Sequence, residues 1–342
     1  MAVTSQQIAD AAGVSRATVD RALKNRGRVR PEVAEKIKKI AEEMGYHPNQ
    51  AARVLALAKN PIKIGMIIQS AETPFMQGVM RGVSEAREEV ERAGGRVEIR
   101  CIDGVDAEQV ISCIKELREA GMNGIALVPA EDDRIKEEID YLAENCQIPV
   151  VTLNSDISGS KRICFVGQDN ERAGKVAAGL MAECVERDCK VAVITGSVSN
   201  PALNSRTRGF KKMLEILRPD VQIAETYYIK DDNWDSEAVT GKMLGEHPDI
   251  KGIFVSAPAV SGICNALYKH RVADTIKVIA NDVLDENVEN LEKGAINFLI
   301  GQEAHVQGYE PINILFQLLA GEIGPEKERQ LTNIIIKTKY NI

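Results

Sequence analysis

Aromatic residues make up only 4% of the 342 positions, and tryptophan occurs once, as Trp234. No stretch approaches the run of about 18 apolar residues that a membrane-spanning helix needs. The opening run Met1-Ala2-Val3-Thr4-Ser5-Gln6 has no basic segment followed by an apolar one. The sequence therefore predicts no secretory signal, no membrane contact and a cytoplasmic location. The seven cysteines are odd in number, scattered, and never spaced Cys-x-x-Cys, so reduced thiols are expected. Catalytic signatures are missing too. Gly167 is followed by six residues and then Gly174-Lys175-Val176, whereas a P-loop needs about four residues and a hydroxyl after the Lys. There is no Gly-x-Gly-x-x-Gly, Gly-x-Ser-x-Gly or His-Glu-x-x-His. The four histidines, at 47, 247, 270 and 305, lie far apart. These absences argue against an enzyme, a metal site and a cofactor.

What is present is an ordinary globular composition, with 44% apolar and 27% charged residues, in a chain long enough for two or three domains. Charge is distributed unevenly. Residues 1–60 hold 11 Lys and Arg against 6 Asp and Glu, leaving 32 and 44 for the rest out of totals of 43 and 50. A head of net +5 on a body of net −12 suggests a head that meets a polyanion, or a chance clustering of charge on a solvated face.

The head reads as three short helices. Thr4 and Gln7 form a capping-box pattern before Ile8, Ala9, Ala11 and Ala12. Gly13 supplies a tight turn, and Ser15 is suited to cap a second helix over Arg16 to Leu23, with Val19, Ala22 and Leu23 inward. Pro31 suits the first position of a third helix, whose stripe is Val33, Ile37, Ile40, Ala41 and Met44 before Gly45. Two short helices joined by a glycine turn make a helix-turn-helix candidate.

The run Ile8-Ala9-x-x-Ala12-Gly13-Val14-Ser15-x-x-Thr18-Val19-x-Arg21-x-Leu23, then Gly27-Arg28-Val29, then Gly45-Tyr46-x-Pro48-Asn49-x-x-Ala52-Arg53-x-Leu55 resembles the head of the LacI/GalR family of bacterial transcriptional regulators. The resemblance spans residues 3–57 and implies roles position by position. Arg16, Ala17 and Arg21 fall where a recognition helix meets base edges, and Arg suits bidentate contact with guanine. Ser15, Thr18 and Tyr46 fall where hydroxyls meet phosphates. Asn49 to Leu57 matches a hinge helix that orders when two copies pair over the minor groove. Ala52 lies in that segment, and Leu55 matches the leucine that wedges between base pairs. Asp20, Lys24 and Arg30 depart from the family's usual Ser, Asn and Ser, which points to an unusual operator or altered phosphate contacts.

From residue 62 strands and helices alternate, predicting parallel sheets with helices on both faces. Strands are expected at 62–68, 97–102, 124–128 and 150–153, then at 162–166, 190–195, 222–228, 252–255 and 277–280, with a strand at 296–300 and a last one at 332–338. The expected architecture is an all-α helix-turn-helix head (1–48), a hinge and linker (49–61), and a two-lobed core (62–342) of doubly wound parallel sheets. The lobes are placed at 62–158 and 163–285 with a shared C-terminal segment, which resembles the type I periplasmic-binding-protein fold of the family.

Open α/β sheets bind ligands beyond the carboxyl ends of their strands. Residues at those ends include Thr73, Pro74 and Phe75, then Asn154, Ser155 and Asp156, then Asn281 and Asp282, and Gln302, with Arg206 and Arg208 at a helix start and Trp234 in the turn Asp232-Asn233-Trp234-Asp235. Directional polar groups beside flat apolar faces suit a sugar or polyol. The resemblance places Thr73, Phe75, Asn154, Arg206, Trp234, Asp282 and Gln302 at ligand contacts. Asn154 and Ser155 stand where sugar-binding relatives often carry Asp and Arg. The expected function is a ligand-responsive repressor acting as a homodimer on a roughly palindromic operator. The alternative is a solute-binding protein carrying a helical head.

Overall fold

The computed structural model describes residues 3–23, 29–44, 61–230, 232–321 and 324–342. Three helices form the head: α1 (Ser5–Ala12), α2 (Arg16–Leu23) and α3 (Pro31–Glu43). Thr4 and Gln7 close the capping box, and Gly13 ends α1 at φ 69, a left-handed conformation that costs glycine nothing. The Ser15 Oγ accepts from the Thr18 amide at 3.2 Å. Pro31 opens α3, and Arg30 at its cap contributes no side-chain bond. Ile8, Ala9, Ala12, Val19, Ala22, Ile37 and Ala41 are buried together. Ala11 lies in α1 as well but is exposed, off the face shared by Ile8, Ala9 and Ala12.

The core begins with β1 (Lys63–Gln69), α4 (Pro74–Arg92), β2 (Arg96–Ile102), α5 (Ala107–Glu119), β3 (Gly124–Leu127), α6 (Asp133–Tyr141), β4 (Val150–Leu153) and β5 (Cys164–Gln168). It continues through α7 (Asn170–Cys184), β6 (Lys190–Thr195), α8 (Pro201–Leu217), β7 (Gln222–Tyr228), α9 (Asn233–Glu246), β8 (Ile250–Val255), α10 (Val260–Lys269), β9 (Lys277–Asn281), α11 (Asp285–Glu292) and β10 (Phe298–Gly301). The chain ends with α12 (Ala304–Leu319), β11 (Arg329–Thr332) and β12 (Ile335–Lys337).

These strands build two six-stranded sheets. One has the order β11-β5-β4-β3-β1-β2, the other β12-β10-β9-β8-β6-β7. The orders match strand for strand, and every pairing is parallel except that of the edge strand β12 with β10, which is antiparallel, so the two lobes share one doubly wound plan and differ from it only at that edge. Each sheet is covered by an apolar cluster on both faces, and β1 is buried along nearly its whole length. That explains why its sequence is a continuous apolar run without alternation.

Two expectations need correction. The sequence predicts a strand at 162–166 in the second lobe. It forms instead as Cys164–Gln168 and pairs in parallel with Val151–Leu153 of the first sheet. The last strand, read as one segment at 332–338, is two. Thr332 pairs with Gln168 in the first sheet, and Ile335 pairs with Gly301 in the second. Periodicity cannot see either point, because a short buried strand carries no mark of which sheet receives it. The chain therefore crosses between lobes at 168–170, 301–304 and 332–335.

Close helix packing fixes what hangs on these crossings. A Cβ on Gly82 of α4 would sit 2.0 Å from the His305 carbonyl oxygen of α12. A Cβ on Gly174 of α7 would sit 2.0 Å from the Arg206 carbonyl oxygen of α8. Gly174 is thus a place where two helix backbones nearly touch.

Candidate functional site

A cleft opens between the lobes at the carboxyl ends of both sheets. Gln69, Ser70, Thr73, Phe75, Met76, Val128, Pro129, Asn154 and Ser155 line it from the first lobe. Asn200, Leu203, Arg206, Ser256, Pro258 and Asp282 line it from the second, with Gln302 at a crossing. At the mouth, the Glu131 amide donates to the Ser199 carbonyl at 3.2 Å, and Asn204 Nδ2 donates to Glu131 Oε2 at 2.9 Å. The lobes therefore already touch across the opening.

Strand ends set the cleft's walls. Ser70, Asn154 and Asp282 each follow a strand, and each holds a positive φ, at 50, 61 and 72. Asn and Asp tolerate this region better than other non-glycine residues. Strained backbone gathered at one site is a mark of function. Strand-end amides hold neighbouring ends in place. Gln69 Nε2 donates to the Val128 carbonyl at 3.0 Å, and its Oε1 accepts from the Asp106 amide at 2.8 Å. Asn281 Nδ2 does the same for the Val255 carbonyl at 2.8 Å.

Two charges face this space without meeting each other. Arg206 is 3% exposed, and its Nε donates to Asn170 Oδ1 at 2.9 Å. Its terminal nitrogens have no hydrogen bond among the described residues. Burial pushes its pKa down, and the Asp282 charge opposes that shift; a guanidinium nevertheless stays charged. Asp282 Oδ1 accepts from Gln302 Nε2 at 2.9 Å, and the second carboxylate oxygen has no partner among the described residues. Burial pushes the Asp282 carboxyl up, with Arg206 and Gln302 pulling it back. Burying charge without a partner is costly, so the pair stands ready for a ligand that offers donors to one and acceptors to the other.

Six of the seven residues expected at the ligand line this cleft: Thr73, Phe75, Asn154, Arg206, Asp282 and Gln302. Thr73 already donates its hydroxyl to the Ser70 carbonyl at 2.8 Å, leaving lone pairs to offer. Trp234 does not join them. It is 86% exposed, because α9 turns Ser236, Thr240 and Met243 inward, and a residue two places before Ser236 lies on the opposite side of a 3.6-residue helix. Asp156 is also elsewhere, paired with Arg162, and Arg208 points outward to Glu171 at 3.6 Å. Sequence reasoning missed Asn170 and Gln307, both buried. Asn170 reads only as a helix start and Gln307 as one polar residue of α12. Among the described residues, no group of three or more His, Cys, Asp or Glu is placed to hold a metal.

In the head, Arg16, Ala17 and Arg21 are exposed on α2. Arg16 Nε donates to Ser5 Oγ at 3.2 Å, while Ser15 and Thr18 share a hydroxyl bond of 2.8 Å. Tyr46, Ala52 and Leu55 lie outside the described residues, as do Lys24 and the expected hinge helix.

The sequence matches the lacI family of bacterial regulatory proteins over residues 4–49 and a periplasmic binding protein domain over residues 64–323. The chain belongs to the lacI family. As a member, it is a ligand-responsive, DNA-binding transcriptional regulator. The HTH-type transcriptional regulator MalR of Streptococcus pneumoniae is 26% identical over 315 residues, covering 87% of this regulator and 91% of MalR. The ribose operon repressor of Bacillus subtilis is 24% identical over 322 residues, covering 92% and 91%. The core of the regulator also superposes on a solute-binding protein of Burkholderia graminis in complex with D-arabinose, with a TM-score of 0.75 and 26% identity over 82% of this chain and 96% of that one. Solute-binding proteins thus share the core, but the head separates the regulator from them. Among the described residues, no helix is long and apolar enough to cross a membrane.

Proposed function

We propose that this regulator is a homodimeric repressor of carbohydrate genes, acting in the cytoplasm, whose effector is an uncharged sugar or polyol held in the interlobe cleft. The observation that carries the effector class is the pair Arg206 and Asp282. They face the cleft with opposite charge, and no ion pair joins them. A polyhydroxylated ligand satisfies both, since each hydroxyl can accept from the guanidinium or donate to the carboxylate. Arg206 is the only cation among the described cleft residues. A phosphate would meet Asp282 as well as Arg206, so a neutral ligand fits better. Apolar surfaces from Phe75, Met76, Leu203 and Pro258 suit the C–H faces of a sugar ring. Thr73, Asn154 and Gln302 complete the ligand set.

Arg16, Ala17 and Arg21 are the base-reading residues of this proposal, with Ser15, Thr18 and Tyr46 on phosphates, and Ala52 and Leu55 in the paired hinges. Two-fold pairing presents two α2 helices to a roughly palindromic operator. Binding and release carry this function, and no catalytic step is assigned.

Isothermal titration with a panel of aldoses, polyols and their phosphates tests the effector class. Saturable binding of a neutral member is the expected result. Binding confined to phosphorylated members would overturn it.

A further inference from the structure

Both charges of the cleft belong to the second lobe, while the first lobe contributes only hydroxyls, amides and apolar groups to it. A ligand anchored on Arg206 and Asp282 meets the first lobe through uncharged contacts only, so a buried connection between these anchors and the first lobe adds to what the ligand itself bridges. We propose that Asn170 and Gln307 are positioning residues that couple these two anchors to the angle between the lobes, an inference that rests on the cleft being the effector site.

The connection runs through side-chain amides. Asn170 accepts from Arg206 Nε at 2.9 Å, and its Nδ2 donates to the Asn154 carbonyl at 3.2 Å. On the other side, Asp282 accepts from Gln302 at 2.9 Å. Gln302 Oε1 accepts from Gln307 Nε2 at 3.2 Å, and Gln307 Oε1 accepts from Asn154 Nδ2 at 3.2 Å. Both routes thus end on Asn154, at the end of β4 in the first lobe.

The helices show which residue moves with which lobe. Asn170 opens α7, which packs against α8 where Gly174 meets the Arg206 backbone, so it travels with the second lobe. Gln307 sits in α12, fixed to α4 where a Cβ on Gly308 would lie 2.0 Å from the Val79 carbonyl oxygen, so it travels with the first. The bonds Asn170–Asn154 and Gln307–Gln302 therefore span the hinge. Gln168 pins the same axis: its Nε2 donates to the carbonyls of Gly301 at 2.9 Å and Asn333 at 3.2 Å, joining all three crossings. Relative rotation of the lobes must rearrange these bonds. A buried, bonded amide chain has few alternative arrangements, which makes it a two-state element that ligand and DNA can both bias.

The test uses the full-length regulator and Gln307→Met, which keeps length and loses both amide bonds. Genetically encoded spin labels at the exposed positions Glu119 and Lys242, one in each lobe, report the interlobe distance by pulsed electron resonance. Without ligand, Gln307→Met is expected to broaden the distance distribution. With the neutral sugar or polyol that binds wild type best, the ratio of operator affinities with and without it is expected to fall about fivefold or more toward one, while effector affinity falls less. Asn170→Asp keeps the acceptor for Arg206 but removes the donor to Asn154. It serves if Gln307→Met does not fold, with the same outcomes expected. An unchanged ligand-free distance distribution, or an unchanged operator ratio in a variant that still binds effector, overturns the proposal. A wild type that binds no neutral sugar or polyol refutes the effector reading instead, and the ligand-free distances then decide the relay alone.

Discussion

Replacing Asp282 with Asn separates the cost of a buried charge from its use. The residue holds φ 72, which Asn adopts as readily as Asp. Asn Oδ1 can still accept from Gln302, as Asp282 Oδ1 does at 2.9 Å. The substitution therefore leaves backbone and neighbour intact, removes the charge, and turns the free acceptor into a donor. Because burial raises the carboxyl's pKa, its contribution to folding is fully present below the ordinary carboxylate range and is lost as pH rises through the raised value. At neutral pH the ligand-free protein carries an unfavourable charge. Asp282→Asn is therefore expected to stabilise it by about 0.5–2 kcal/mol, as substitutions relieving functional sites do. That corresponds to roughly 1–8 °C in Tm, an advantage that fades in acid. The same change removes a charged hydrogen bond to the ligand, worth about 1.5–3 kcal/mol, or about 10–150-fold in Kd. Differential scanning calorimetry across pH and titration with the effector measure both. A variant that binds effector as tightly as wild type refutes the assignment of Asp282, and one less stable at neutral pH refutes the electrostatic argument.

Arg21→Ala is expected to weaken operator binding by about 1–3 kcal/mol and leave affinity for random DNA nearly unchanged; equal losses on both in a salt titration would limit Arg21 to phosphate contact. Gly174→Ala forces a methyl against the Arg206 carbonyl, so thermal melting should show a loss of about 1–3 kcal/mol, with effector affinity reduced through the displaced guanidinium; a neutral result would mean the helices can part freely. Trp234→Phe should leave effector affinity within about twofold, because surface substitutions rarely exceed about 0.5 kcal/mol. The fluorescence of this single, 86% exposed indole should report a water-facing environment. A large affinity loss in that variant would return Trp234 to the site.

The local structure of the head was legible because its signals are local. Thr4 with Gln7, Gly13, Ser15 and Pro31 each act within one turn of themselves, and each stands where a cap or turn rule puts it. In the core, the alternation of apolar runs and helical stretches revealed the parallel sheets. The carboxyl ends of the strands then pointed to Thr73, Asn154 and Asp282, and a helix start to Arg206. Assignments across the chain were harder. Nothing within Cys164–Gln168 says that it joins the first sheet, since its partner β4 and its other neighbour β11 lie on either side in sequence. Trp234 was drawn to the cleft by its chemistry, yet helical phase turns it outward. Asn170 and Gln307 escaped notice for the opposite reason. They touch the charged residues through amides supplied from distant segments, Gln307 lying 153 positions from Asn154, and no spacing in the sequence encodes that meeting.

Operator affinity measured with and without effector tests the central claim most directly. Fluorescence anisotropy on the regulator's own upstream DNA, titrated at fixed salt against the neutral sugar or polyol that binds best, gives the coupling between cleft and head. The account predicts a change of about 5–150-fold, corresponding to about 1–3 kcal/mol, and its disappearance when Arg206 is replaced by Met. Tight, specific DNA binding that no cleft ligand alters, or a response that survives the loss of the Arg206 charge, would contradict it.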